Sequence, residues 1–175
     1  VSLLTRERGV RIWFKTTLKR ADLNADFDRL EYVLLNLLSN SLNHTGIGDD
    51  ITVSVSRAGD LYIVTVSDTG TGVPAAIMPT VFEPRIRKKS LNDPEPGLGM
   101  GLAYSRHIIS MHGGSMVLES REGQGTTVRF TLPKTRREAM LADSAVQYGD
   151  LGIAPVLTEL SDILSLDCFD VKYLD

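Results

Sequence analysis

Residues 28–45, DRLEYVLLNLLSNSLNHT, decide the fold class of this chain. Leucine and valine recur in this segment with the i, i+3, i+4 spacing of an amphipathic helix. Asp28 and Glu31 stand three residues apart, as in a capping box, and Gly46 and Gly48 end the segment. The segment is therefore predicted to be a helix with one buried face.

Segments with the two-residue alternation of β-strands lie on both sides of this helix. Strands are predicted over 9–18, 51–57, 61–67, 115–120 and 126–132, and a second helix over 102–112. The two central strands form an antiparallel hairpin with a turn at residues 58–60. The order β, α, ββ, loop, α, ββ has no strict alternation. It predicts an α+β fold, a two-layer α/β sandwich with a mixed, mostly antiparallel sheet and helices on one face.

The composition is that of a globular protein, and it divides the chain in two. Of 175 residues, 42% are hydrophobic and 23% are charged. Residues 1–134 carry 16 of the 19 basic and 14 of the 22 acidic side chains, a net charge of +2, whereas residues 135–175 carry 3 and 8, a net charge of −5. We expect one folded domain over 1–134 and an acidic, helical extension over 135–175. The extension either packs on its own domain or acts as a docking or autoinhibitory segment.

Charge and cysteine content narrow the class of function. The net charge of −3 does not suggest a protein that binds nucleic acid or an anionic membrane. Cys168 is the only cysteine, which excludes an intramolecular disulfide and a cysteine-based zinc site and fits a reducing compartment. No apolar run approaches the roughly 20 residues that a membrane span needs. A cytoplasmic location is expected, with a parent chain that is membrane-anchored or free.

Three asparagines line one edge of the first predicted helix. Asn36, Asn40 and Asn43 fall within an arc of about 60° at 3.6 residues per turn. They form either a solvated face or a set of neutral oxygen ligands, which hold Mg²⁺ without competing with phosphate for its charge.

Two glycine-rich segments provide the other candidate sites. Asp68 leaves a strand just before Gly70 and Gly72, so its carboxylate could accept a hydrogen bond from an exocyclic amine, although a plain turn has the same pattern. Residues 97–101, GLGMG, lie at the mouth of the second helix, where exposed backbone N–H groups suit phosphate. A hinge is the alternative, and neither a P-loop nor a Rossmann fingerprint fits.

Together these segments resemble the ATP-binding catalytic domain of bacterial sensor histidine kinases, of the superfamily that includes gyrase, Hsp90 and MutL. Five motifs occur in the family's order. They are NLLSNSLNHT at 36–45 (N box), DTGTG at 68–72 (G1 box), VFEP at 81–84 (F box), GLGMGL at 97–102 (G2 box) and GQGT at 123–126.

The resemblance implies the Bergerat ATP-binding fold and a site for ATP and Mg²⁺. In that family the residue at Asp68 bonds the adenine amine, the residue at Asn40 ligates Mg²⁺ with that at Asn36 nearby, and the glycines of the G2 box wrap the phosphates. Residues 85–96 would form a lid. The implied nucleotide-binding set on this chain is Asn40, Asn43, His44, Asp68, Gly70, Gly72, Arg87, Gly97, Gly99, Met100, Gly101, Leu102 and Thr126.

The chain departs from the family pattern at four positions. Asn43 stands where a lysine is usual and His44 where an aromatic residue is usual, and Arg85 and Ile86 replace two aromatic residues after the F box. Loss of the lysine removes one phosphate contact, and the other changes affect the lid. Arg87 is either a phosphate-contacting cation or an exposed solubilising charge.

The residue at position 36 separates kinases from ATPases in this superfamily. Gyrase-like and MutL-like ATPases resemble one another in having a glutamate there as general base for water, and asparagine cannot accept that proton. The expected activity is therefore transfer of the γ-phosphoryl group to a histidine, catalysed with Asn36 and Asn40 in the site. An anti-sigma-type serine kinase and a degenerate module without phosphotransfer are the alternatives.

The three histidines of the chain stand outside the His-Glu-Leu-Arg-Thr-Pro type of context that marks the family's acceptor helix. The acceptor histidine is therefore expected on a separate dimerisation domain N-terminal to Val1. A response regulator is the expected downstream partner, with a homodimeric full-length protein and a monomeric fragment. His112, in His-Gly-Gly at a helix end, is expected to have a capping role.

Overall fold

The computed structural model describes residues 8–19, 21, 23, 25–84 and 100–134. The predicted lid at 85–96 and the extension at 135–175 lie outside the described residues. Among the residues described, no helix combines the length and the apolar character that a membrane crossing requires.

The described residues form five strands, two α-helices and one short 3₁₀-helix. In chain order these are β1 (Arg11–Thr16), α1 (Phe27–Asn43), β2 (Asp50–Ala58), β3 (Leu61–Asp68), a 3₁₀-helix (Met78–Thr80), α2 (Gly101–Met111), β4 (Met116–Ser120) and β5 (Thr126–Pro133). The sheet order is β1-β2-β3-β5-β4, with β1 parallel to β2 and the other pairs antiparallel. The predicted α+β fold with a mixed, mostly antiparallel sheet is confirmed.

The core lies between one face of the sheet and the two helices. Register places Ile51, Val66 and Val128 on the same face, and all three are buried. From the helix side, Leu37 of α1 and Ile108 of α2 are at most 1% exposed. Because the opposite face carries mainly serine and threonine along β2 and β3, the sheet has a single apolar side.

The edge strand β1 is shorter than predicted and is held largely by polar contacts. The Arg11 guanidinium donates two hydrogen bonds to the Asp50 carboxylate, at 2.8 and 2.9 Å, and the Trp13 indole donates a third at 2.9 Å. The hydrogen bonds from these donors lower the pKa of Asp50, and the bond from Arg11 has the larger effect. Phe14 lies on the core face in register with Val53, yet it is 68% exposed because β1 is at the edge of the sheet.

The first helix begins earlier than the sequence indicated. Asp26 is its N-cap, and its carboxylate accepts a hydrogen bond from the Arg29 N–H at 3.1 Å. The predicted capping box of Asp28 and Glu31 is therefore wrong, and Asp28 lies within the first turn. Sequence spacing favoured Asp28, but Asp26 has the extended backbone that an N-cap requires.

His112 joins the end of α2 to the start of α1. Its side chain is 8% exposed, and Nδ1 lies 2.8 Å from the carbonyl oxygen of Ile108. Nε2 accepts a hydrogen bond from the Asp26 N–H at 3.1 Å. Since Nε2 accepts, Nδ1 carries a proton and donates to the Ile108 carbonyl oxygen. The histidine caps its own helix and also fixes the first turn of the neighbouring one.

Replacing His112 is expected to destabilise the domain. His112→Ala removes both hydrogen bonds of this buried side chain, including the one that accepts from the Asp26 N–H, so the free energy of unfolding should fall by about 1–3 kcal/mol. Urea denaturation measures this, with His107→Ala as the matched control, because His107 is exposed on the same helix. Equal stability of the two variants would contradict the bridging role.

Candidate functional site

Asp68, the last residue of β3, is a buried carboxylate held by three donors. It is 7% exposed. Oδ1 accepts from the Gly70 and Thr126 N–H groups, both at 3.1 Å, and Oδ2 accepts from the Ser41 hydroxyl at 3.0 Å. The donors come from the turn after β3, the start of β5 and α1. Three segments that are far apart in sequence therefore converge on one side chain.

Burial opposes ionisation of Asp68, whereas its hydrogen bonds favour it. Desolvation by burial raises the pKa of Asp68, and the hydrogen bonds from Gly70, Ser41 and Thr126 offset part of that increase, as does the charge of His44. Because the folded pKa lies above the unfolded one, the carboxyl group stabilises the fold when protonated. That contribution is lost as the pH rises through the folded pKa. An ionised Asp68 at neutral pH thus costs stability, which points to a functional reason for it.

The glycines around Asp68 are required by close backbone approaches. A Cβ on Gly70 would lie 1.9 Å from the carbonyl oxygen of His44, and one on Gly125 would lie 2.0 Å from that of Asp68. Gly72 has φ +67°, and a Cβ there would lie 2.2 Å from the carbonyl oxygen of Arg121. These glycines let the turn after β3 pack between the end of α1 and the β4–β5 turn.

The turn after β3 is also held from β2. The Thr69 hydroxyl donates to the Asp49 carboxylate at 2.9 Å and accepts from the Asp50 N–H at 3.0 Å. The Thr69 N–H donates to the Asp50 carbonyl at 3.1 Å. Main-chain and side-chain bonds to Asp49 and Asp50 therefore fix the residue that follows Asp68.

The three asparagines predicted to line one edge of α1 all lie in that helix, and their surroundings differ. Asn40 is half-buried, and its side chain makes no hydrogen bond to a residue that the structure describes. Asn43 ends the helix and His44 is its C-cap; both side chains are exposed. The His44 carbonyl accepts from the Thr71 N–H at 2.9 Å, so the helix end and the turn after β3 are joined.

Asn36 contacts the mouth of α2 instead of solvent. Its side chain is 2% exposed, and Nδ2 donates to the Ser105 hydroxyl at 3.0 Å. Oδ1 lies against Gly101, where a Cβ would come within 2.0 Å of it. Sequence reasoning placed Asn36 beside the metal; the structure places it between the two helices, and ligation by its oxygen stays a prediction.

The described part of the glycine-rich segment forms the start of α2. Met100 is the N-cap residue and is 44% exposed, Gly101 begins the helix, and Leu102 packs against the core. The first N–H groups of a helix have no intrahelical acceptor, so this end of α2 offers donors to an anion. Arg87, Gly97 and Gly99 lie outside the described residues.

Some site residues were missed from the sequence. Ser41 and Ser105 were not singled out, because a serine on a helix gives no signal until its partner across the fold is known. Phe82 was identified only as part of a motif. In the structure its ring packs against the core, and the Arg106 guanidinium carbon of α2 lies 4.7 Å from the ring centroid.

The contact between Gly101 and Asn36 predicts a clear effect of a small substitution. Gly101→Ala forces the buried Asn36 amide away from the helix mouth and should lower the free energy of unfolding by about 1–3 kcal/mol, although alanine favours helices. Gly46→Ala is the control, because a Cβ at Gly46 meets nothing within 4 Å. Chemical denaturation checks both variants, and a Gly101→Ala protein as stable as the control would refute the close contact.

The comparisons with known proteins identify the family and its fold. Residues 25–136 match the family described as histidine kinase-, DNA gyrase B-, and HSP90-like ATPase. The sensor histidine kinase ZraS of Salmonella typhi is 37% identical over 135 residues, which are 77% of this chain and 28% of ZraS. The chain spans between 25% and 36% of the length of the curated relatives it matches.

Solved structures of histidine kinases share the fold. The catalytic domain of histidine kinase ThkA has a TM-score of 0.65 at 28% identity, over 77% of this chain and 85% of that domain. ThkA in complex with the response regulator protein TrrA gives 0.62 at 27% identity, over 77% and 37% of the two chains. Full-length ShkA in complex with AMPPNP gives 0.63 at 26% identity, over 75% and 27%. The chain belongs to the family of histidine kinase-, gyrase B- and HSP90-like ATPases, and its relatives within that family are sensor histidine kinases.

Proposed function

We propose that this chain is the ATP-binding catalytic domain of a two-component sensor histidine kinase. It would transfer the γ-phosphoryl group of ATP to a histidine on a separate dimerisation domain. The observation that carries the proposal is Asp68, a buried carboxylate whose donors fix both oxygens at the end of β3. A carboxylate so placed accepts a hydrogen bond from the amino group of a purine. The solved complex of ShkA with AMPPNP supports a nucleotide as ligand.

The residues present fit a nucleotide with a divalent cation. Asn40 has a half-buried carboxamide with no partner in the described residues, and a neutral oxygen ligand suits Mg²⁺ bound to phosphates. The N–H groups at the start of α2 lie on the neighbouring helix, which packs against α1 through Asn36 and Ser105. When bound, Mg²⁺ supplies neutralisation of phosphate charge, and the protein supplies positioning.

The environment of Asn36 favours phosphotransfer over hydrolysis. A carboxamide cannot take a proton from water, and its nitrogen is already committed to Ser105. Phosphoryl transfer to a stronger nucleophile needs no such base, and a neutral imidazole is one. The relatives favour histidine over serine as the acceptor, because they are sensor histidine kinases.

The expected partners follow from the same proposal. The acceptor histidine would lie on a dimerisation domain of the parent protein, and a response regulator would receive the phosphoryl group. The complex of ThkA with TrrA supports a partner of that kind. We place the domain on the cytoplasmic side, where ATP and the response regulator are available, and we expect a homodimeric parent protein.

Asp68→Asn separates nucleotide binding from folding. The amide oxygen can still accept from Gly70 and Thr126, and the Ser41 hydroxyl can rotate to accept from the amide nitrogen. ATP affinity should fall at least tenfold, since an amide nitrogen repels the purine amino group, while the melting temperature without nucleotide stays at or above that of wild type. Calorimetry and thermal unfolding measure the two effects.

Asp60→Asn is the matched control for this test, because the Asp60 side chain is 92% exposed in a hairpin turn. It should leave ATP affinity unchanged. Equal ATP affinity of wild type and Asp68→Asn would disprove the site assignment.

Asn40→Ala tests the cation site. We expect the increase in ATP affinity that Mg²⁺ produces in wild type to be mostly lost, because one oxygen ligand is removed. The affinity for ATP measured in EDTA should be nearly unchanged, since Asn40 makes no hydrogen bond to the Asp68 carboxylate that would bind the base. A variant that keeps the full response to Mg²⁺ would show that the ligand lies elsewhere.

A further inference from the structure

The Asp68 carboxylate has one lone pair that accepts no hydrogen bond from the described residues. Each carboxylate oxygen has two lone pairs. Oδ1 uses both of its lone pairs on the N–H groups of Gly70 and Thr126, and Oδ2 uses one on the Ser41 hydroxyl. Among the residues that the structure describes, no donor occupies the second lone pair of Oδ2, beside the Ser41 oxygen.

Ser41 is built into this arrangement from the adjacent helix. It is 6% exposed, and its hydroxyl lies 3.0 Å from Oδ2 in a buried hydrogen bond. It is also the one side-chain donor to Asp68 among the described residues, whereas the other two donors are backbone N–H groups that every substitution except proline keeps. A change at Ser41 therefore alters Asp68 selectively.

We propose that Ser41 is a positioning residue that sets nucleobase selectivity. Its hydroxyl donates to one lone pair of Oδ2, so the other lone pair can accept from a single exocyclic amino group. The carboxylate held in this way repels an oxo group at the same place. This inference rests on the proposed function, because it takes Asp68 as the group that contacts the purine.

The chemistry of two purines shows what this selectivity means. ATP presents an amino donor at position 6, and inosine triphosphate presents an oxo acceptor at the same place. An ionised Asp68 accepts from the first and repels the second, whereas a protonated Asp68 can donate to the oxo group. Discrimination between ATP and inosine triphosphate therefore depends on the fraction of Asp68 that is ionised.

Removing the Ser41 hydroxyl shifts Asp68 toward its protonated form. Burial raises the pKa of Asp68, and the Ser41 hydrogen bond is one of the groups that lower it. The others are the Gly70 and Thr126 N–H groups and the charge of His44 at the C-cap of α1. Without the hydroxyl, Asp68 takes up a proton at a higher pH.

The test measures dissociation constants of ATP and inosine triphosphate by calorimetry between pH 5 and 8, on wild type, Ser41→Ala and Ser41→Thr. In Ser41→Ala we expect the acid loss of ATP affinity to move to higher pH. The preference for ATP over inosine triphosphate should fall about tenfold, the effect of losing one hydrogen bond to a charged group. Ser41→Thr keeps the hydroxyl and should restore both.

Ser39→Ala is the matched control. Ser39 is buried on the same helix, but two residues turn it about 200° away from Ser41. The inference would be overturned if Ser41→Ala kept the nucleotide selectivity and pH profile of wild type. It would also be overturned if Ser39→Ala lost selectivity as much as Ser41→Ala does. If wild type binds ATP and Asp68→Asn does not, such a failure leaves the proposed function intact. If wild type binds neither nucleotide, the proposed function and the inference are both overturned.

Discussion

The fold around the site depends on the hydrogen bonds that converge on the Asp68 carboxylate. A charged group that is 7% exposed is costly unless donors satisfy it, and here the donors come from α1, the turn after β3 and the start of β5. The same bonds bring these segments together. The group that would recognise the base thus also fixes the end of the central strand against α1 and β5.

A second set of contacts relates the two helices to each other. At one end of α2, Asn36 reaches Gly101 and Ser105, and at the other end His112 binds the first turn of α1. The helix with the asparagine edge and the helix that follows the glycine-rich segment are therefore held in register at two points. This arrangement sets the start of α2 relative to the asparagine edge of α1.

Much of this could be predicted because strands and amphipathic helices repeat their residues with a fixed period. The alternation at 51–57 and 61–67 and the leucine spacing at 30–42 are local signals, and they placed three elements to within two residues at each end. Helical spacing and the strand-end glycines indicated the asparagine edge and Asp68 as candidates, and the ligand roles that the order of five motifs implies for them stay predictions. Cap position was less predictable, because Asp26 and Asp28 differ only in backbone conformation.

What the sequence could not show are the pairings between distant residues. Ser41 with Asp68, Asn36 with Ser105 and His112 with Asp26 are separated by 27, 69 and 86 positions. Each is a polar contact made by residues that give no periodic signal. Similarly, Gly70 and Gly72 were interpreted through a ligand, whereas the structure also gives them a reason in backbone packing.

The most direct test of the central role of Asp68 is a crystal structure of the chain with AMPPNP and Mg²⁺. We predict that the adenine amino group lies within hydrogen-bond distance of Asp68 Oδ2, with Gly70 and Thr126 still bound to Oδ1 and Ser41 still bound to Oδ2. An adenine ring bound elsewhere, with Asp68 in contact only with the protein, would contradict it.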